Sequence, residues 1–316
     1  MTAKQKSKNV YEIVSEHITS ILSSGIIPWR MPWSDGRVPT NLITRNPYRG
    51  INVFLLAAQY YRCNLFLSEA QLINVGGEPG ELNAPTIAVH WEWVDKQAKE
   101  GEPKPESKYP LLRYHKVYNV EDCDGINHDM LPGYDRPSKP FEAAREIIKN
   151  MPDAPKIEYY KTAASYVSNS DIVFMPNSEE YGAKELYYYD LFKLLVHSTA
   201  HEKRLNRKQA EDTGAHFTID TLIVDMAAHY LCYHSGMNKV PLMNNLQYIH
   251  GWIEAFSKNS RMVVSAAVHA QKAVDYILNL KSKSTEGATD PREMNESEEP
   301  DAEETEEPGE DEETSH

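Results

Sequence analysis

The sequence predicts an α+β protein: N-terminal helices on a small antiparallel sheet, a helical second domain carrying a small sheet of its own, and an acidic tail. Three observations carry this. Residues 86–94 alternate apolar and polar side chains, and a second strand-like run follows at 111–118. From residue 183 the apolar spacing is helical almost throughout. Residues 282–316 hold 15 acidic and 2 basic residues among Pro, Ser and Thr, with almost nothing apolar to bury.

In chain order, Val10, Ile13, Val14, Ile18, Ile21 and Leu22 recur at helical spacing, with Asn9 and Glu12 as a capping box and Gly25 as the stop. Ile26-Ile-Pro-Trp-Arg-Met-Pro-Trp33 runs extended because two prolines restrict its backbone. Asn52 is expected to cap a second helix through Tyr61, and Ser68 a short third one. Ile87, Val89, Trp91 and Trp93 form one face of the first strand. The charged loop Asp95–Lys108 then leads into Leu111–Tyr118, which predicts an antiparallel pair. These elements make up domain 1–131.

Residues 132–140, with their Gly, Pro, Asp and Ser, form the linker. Domain 141–281 opens with a helix to Asn150. Short strands follow at 157–160, 164–167 and 171–175, then helices at 183–203, 219–235, 245–257 and 260–280. The sequence carries neither an internal repeat nor a glycine-rich phosphate loop.

The formal charge of −14 belongs almost wholly to residues 282–316, which contribute −13 and leave the rest at −1. That tail is expected to be disordered, either as a solubilising extension or as a nucleic-acid mimic covering a basic groove. Cys63, Cys123 and Cys232 have no close spacing, which argues against a disulfide framework and a cysteine zinc site. No apolar run reaches membrane-spanning length, and Met1-Thr-Ala-Lys-Gln-Lys lacks a signal peptide's apolar core. A cytoplasmic protein with no membrane partner is expected.

Two stretches carry candidate chemistry. Residues 1–70 hold eight Lys/Arg against four acids, interleaved with Trp29, Trp33, Tyr48, Tyr60, Tyr61 and Phe66. Single-stranded nucleic acid is held by this pairing, cations on phosphates and aromatic faces on unpaired bases. Trp29, Arg30, Trp33, Arg45, Tyr48, Arg49 and Asn52 are the candidates, against the alternative that the two tryptophans cap a core and Arg30 is solvated.

The second stretch runs from Lys193 to Arg207. A zinc-peptidase helix needs two imidazoles four apart, a Glu beside the first, and a third ligand from another helix. If His197 is the second imidazole, the first ligand and the base fall at Lys193 and Leu194, which can serve as neither. His197 and His201 could instead join Asp225 and His229 of the next helix in a rearranged zinc site. The favoured alternative makes these four hydrogen-bonded structural residues, with Lys193 paired to an acid such as Asp225.

Several blocks together resemble the antirestriction proteins of the ArdC type. They are Gly25-Ile-Ile-Pro-Trp-Arg-Met-Pro-Trp33, Pro47-Tyr-Arg-Gly-Ile-Asn-Val53, Leu112-Arg-Tyr-His-Lys-Val-Tyr-Asn-Val120, Tyr187-Tyr-Tyr-Asp-Leu-Phe192, His197-Ser-Thr-Ala-His201, Arg204-Leu-Asn-Arg207 and Ala266–Ile277. The resemblance implies a domain that binds single-stranded DNA, followed by a zincin-like metallopeptidase domain, protecting entering DNA of a mobile element such as a conjugative plasmid. Set against the family pattern, its His-Glu start is Lys193-Leu194 and the Gly before the last His is Ala200. Its acidic pair falls at Thr221 and Asp225, and a basic turn becomes Glu78-Pro-Gly-Glu81. The expectation is a DNA-binding antirestriction protein whose peptidase half is a pseudoenzyme. The alternatives are a zinc peptidase with a rearranged site, and a module binding a restriction or mobilisation protein through its old substrate cleft.

Overall fold

The predicted capping box forms. Asn9 Oδ1 accepts the Glu12 amide and Glu12 accepts the Asn9 amide, starting α1 (Val10–Ser23), whose Val14, Ile18 and Leu22 are fully buried. The computed structural model describes residues 8–80, 85–95, 108–127, 129, 131–133, 136–160, 163–207, 216–237, 239–242 and 245–280. The expectations for the acidic tail, the loop at 96–107 and Glu81 therefore lie outside the described residues.

The N-terminal half is built on a four-stranded sheet in the order β1-β2-β5-β4, from β1 (Thr40–Asn41), β2 (Leu65–Ser68), β4 (Thr86–Asp95) and β5 (Lys108–Asn119). The long β4–β5 pair is antiparallel as predicted, with Ala88 opposite His115 and His90 opposite Arg113. A two-stranded ribbon, β3 (Glu78–Pro79) with β6 (Cys123–Asp124), stands beside it. Ser68 caps α3 (Glu69–Asn74) through a capping box with Gln71, again as predicted.

The expected role of Asn52 is corrected. Gly50, at φ 58°, turns the chain into α2 (Ile51–Ala57), so Asn52 lies inside the helix rather than before it. Its buried amide donates to the Val89 carbonyl and accepts the Val89 amide, both at 2.7 Å, tying α2 to β4. A side chain spent on two buried backbone groups is not available to a nucleotide.

In the C-terminal half, α4 (Pro140–Asn150) precedes a three-stranded sheet in the order β7-β9-β8: β7 (Lys156–Tyr159), β8 (Ser165–Val167) and β9 (Ile172–Met175). Four helices follow: α5 (Lys184–Ser198), α6 (Ile219–His234), α7 (Leu246–Lys258) and α8 (Met262–Ile277). The two halves share one hydrophobic core. Val14, Ile18, Trp29 and Trp33 from the first pack in the same cluster as Phe192, Leu231, Trp252 and Phe256 from the second.

Helix α5 ends five residues before the expected Lys203. Ser198 Oγ and Thr199 Oγ1 donate back to the Leu195 and Val196 carbonyls, competing with helix continuation. Arg204 Nε then takes the Ser198 carbonyl at 2.6 Å, and the Leu205 amide takes that of Thr199. His201 therefore sits in a turn, and the expectation that His197 and His201 stand one above the other on a helix is overturned.

Candidate functional site

Asp225 lies mid-way along α6, buried, and its carboxylate is ringed by donors. Oδ2 accepts from Trp29 Nε1 at 2.9 Å, from Arg30 Nη2 at 3.3 Å and from the Tyr248 hydroxyl. Oδ1 accepts from the Tyr189 hydroxyl and lies 3.1 Å from His229 Nδ1, which is also 2.8 Å from the Asp225 carbonyl. Arg30 stacks its guanidinium 4.0 Å above the Tyr248 ring, and its carbonyl accepts the Tyr233 hydroxyl at 2.6 Å. One N-terminal dipeptide, Trp29-Arg30, thus reaches a carboxylate 196 residues away in the other half.

Local chemistry delivers the dipeptide there. Pro28 opens a 3-10 turn over Pro28–Arg30, directing Trp29 inward to meet Trp252 edge-on at 6.0 Å. Trp33 packs edge-on against Tyr230 at 4.9 Å. Their exposures of 1% and 3% correct the expectation that either ring stacks on a base. Arg30 is likewise committed to Asp225 rather than to a phosphate.

Burial alone would push the Asp225 carboxyl up, but His229, Arg30 and the Tyr189 hydrogen bond outweigh it and hold the group well below the usual carboxylate range. The same burial, reinforced by Asp225, pushes Tyr189 and Tyr248 up and keeps both as donors. The carboxylate is charged, and its neighbours are built to satisfy that charge.

The remaining candidates sit apart from this arrangement. Lys193 lies with its amino group 5.4 Å above the Tyr189 ring, so its expected pairing with Asp225 is corrected: Arg30 holds that place. Leu194 is buried. His201 Nδ1 accepts the Lys203 amide at 3.2 Å. Burial, with Lys193 and Arg207 adding, holds His197 neutral down to about 4. An imidazole kept neutral in the fold loses stability as the unfolded form protonates, starting near 6.5 and ending near 4. Urea unfolding at pH 7 and pH 4 is expected to differ through this residue by at most about 3 kcal/mol, a difference that shrinks in His197→Gln.

A zinc ion requires deprotonated donors converging on one point. Both Asp225 oxygens are already engaged by donors, one of them a fixed cation. Among the described residues no three His, Cys, Asp or Glu side chains could share an ion. The expected site of His197, His201, Asp225 and His229 is therefore not assembled, and these residues do not fit the metal.

Comparison with known proteins places this geometry. The family profile described as the N-terminal domain of anti-restriction factor ArdC matches residues 8–120, and that of zincin-like metallopeptidases matches residues 142–269. The chain has the ArdC-type architecture. Its fold is that of the antirestriction ArdC protein from the R388 plasmid. The metal-free crystal structure superposes with a TM-score of 0.70 at 23% identity, covering 85% of this chain and 97% of that one. The Mn(II)-bound structure gives 0.68 at 23%, covering 86% and 98%. A DNA primase TraC of Escherichia coli is 25% identical over 88% of this chain, although the chain spans only 20% of that protein. The uncharacterized protein y4eC of Sinorhizobium fredii is 23% identical over 86% of this chain and 92% of its own length. The second R388 ArdC structure holds Mn(II), and the Asp225 cluster described above is a feature of this chain.

Sequence reasoning missed Tyr189 and Tyr248 as partners of Asp225. Tyr189 lay within an aromatic run that reads as core, and only its hydroxyl distinguishes it. Tyr248 carried no local signal at all.

Proposed function

We propose that this chain is an antirestriction protein that binds single-stranded DNA through its N-terminal half and whose zincin-like half no longer hydrolyses peptides. The observation that carries the second clause is the Trp29-Arg30 contact with Asp225. It puts a cation and an indole N–H where an open ligand position would be needed, while Lys193 and Leu194 supply neither ligand nor base.

The first clause rests on the surface that remains once Trp29, Arg30, Trp33 and Asn52 are withdrawn into the fold. Tyr48 and Tyr61 both stand edge-on to Phe66, at 6.2 and 6.1 Å. That brings the loop bearing Arg45 and Arg49 beside the turn bearing Tyr60 and Arg62. Arg45 and Arg62 are exposed, Tyr60 is 63% exposed, and Arg49 keeps half its side chain in solvent while paired to Asp275. Cations beside an open ring suit phosphates and an unpaired base.

Fluorescence anisotropy with oligo-dT is expected to show micromolar binding at low salt that weakens as salt rises. Tyr60→Ala is expected to cost about 1–3 kcal/mol of that binding. No binding at low salt, or binding indifferent to salt, would overturn the reading.

A further inference from the structure

The β4–β5 ladder brings two histidines together on its outward face. His90 and His115 are diagonal neighbours, one on each strand, and their Nδ1 atoms are 3.2 Å apart with ring centroids at 5.2 Å. His90 is exposed and His115 half-buried. On the same face Ala88 and Val117 are buried with Phe66, with Tyr48 and Tyr61 packed against them, so one side of the pair is walled by apolar groups. On the other side Arg113 Nε donates to Glu92 at 2.9 Å, so that cation is balanced by a carboxylate.

The geometry points to a two-histidine chelate for a divalent transition metal at His90 and His115. Two imidazoles bound at about 2.0–2.1 Å to one ion, with an angle between square-planar and tetrahedral, have their nitrogens roughly 2.8–3.4 Å apart. The observed spacing falls inside that window. Without metal one imidazole donates from Nδ1 to the other; on binding, that ring carries its proton on Nε2 instead, so that both Nδ1 lone pairs face the ion after a modest turn of the rings. The β ladder fixes the two backbones, so little ordering is needed on binding. Burial, followed by the neighbouring His90, lowers the His115 pKa, which keeps a lone pair available near neutrality. Two nitrogen ligands on an accessible strand face favour Cu(II) over Zn(II), with Mn(II) weakest.

The test is a titration of the full chain with Cu(II), followed by electron paramagnetic resonance, alongside His90→Gln, His115→Gln and His197→Gln. The first equivalent is expected to show coupling to two nitrogens. His90→Gln and His115→Gln should each bind at least roughly tenfold more weakly, since even an outer partner of a metal ligand costs that much. His197→Gln should bind as the parent does, and circular dichroism should show all three variants folded. Parent-like binding by either hairpin variant, or loss of the first equivalent in His197→Gln, overturns the assignment.

Discussion

Asp225→Asn is expected to cost about 3–5 kcal/mol of unfolding free energy, among the largest effects of any single substitution in this chain. The change keeps the volume and removes only the charge. Trp29, Arg30, Tyr189 and Tyr248 all donate to this carboxylate, so the new amide NH2 must face at least one donor. Arg30 is left as a buried cation without its counter-charge. Removing that cation as well should recover part of the loss. In the cycle with Arg30→Met, a favourable coupling of about 1–3 kcal/mol is expected from urea unfolding. Independent, additive effects would show that the pair is not energetically linked. Because folding holds the Asp225 carboxyl well below its usual range, its contribution is present above about pH 4 and is lost only as pH falls further. That separates it from the His197 effect, which lies at higher pH.

Arg204→Ala is the second large expectation, again about 3–5 kcal/mol, and Arg204→Lys should lose most of that. The Arg204 side chain is fully buried. Nε donates to the Ser198 carbonyl at 2.6 Å, Nη1 to the Asp153 carbonyl at 2.8 Å and to Asp171 at 3.1 Å, and Nη2 to the Tyr166 hydroxyl at 3.1 Å and to Asp171. A planar fork meets all of these at once, joining the end of α5 to the β7-β9-β8 sheet; one ammonium cannot. Lys203, whose amino group is 3.8 Å from the same Asp171 and largely exposed, is the control. Lys203→Ala should cost no more than about 1 kcal/mol.

Local patterns in the sequence carried much of the fold. The Asn9–Glu12 box, the Ser68 cap and the alternation through Trp91 and Trp93 all describe interactions within a few residues, and those elements form where expected. The C-terminal helices likewise start close to their predicted positions, because apolar periodicity is a local signal. What failed depends on partners distant in sequence. Nothing near Ser198 announces that Arg204 will close the helix against Asp171. Trp29-Arg30 reads as an aromatic-cationic motif in isolation, and only Asp225 on α6 shows that both side chains turn inward. The family blocks drew attention to the helix of Lys193 and Leu194, but they could not say which group would neutralise Asp225. It is Arg30 from the other half of the chain.

Mn(II) binding tests the central claim most directly, namely that the Trp29-Arg30 lock on Asp225 occupies the place of a metal centre. Electron paramagnetic resonance of free Mn(II), titrated with the full chain at neutral pH, reads it without interference from the His90–His115 pair, which should hold this ion poorly. The expected result is no tight equivalent of bound Mn(II), and the same response from His197→Ala. One tight equivalent, lost in His197→Ala or Asp225→Ala, would contradict the account.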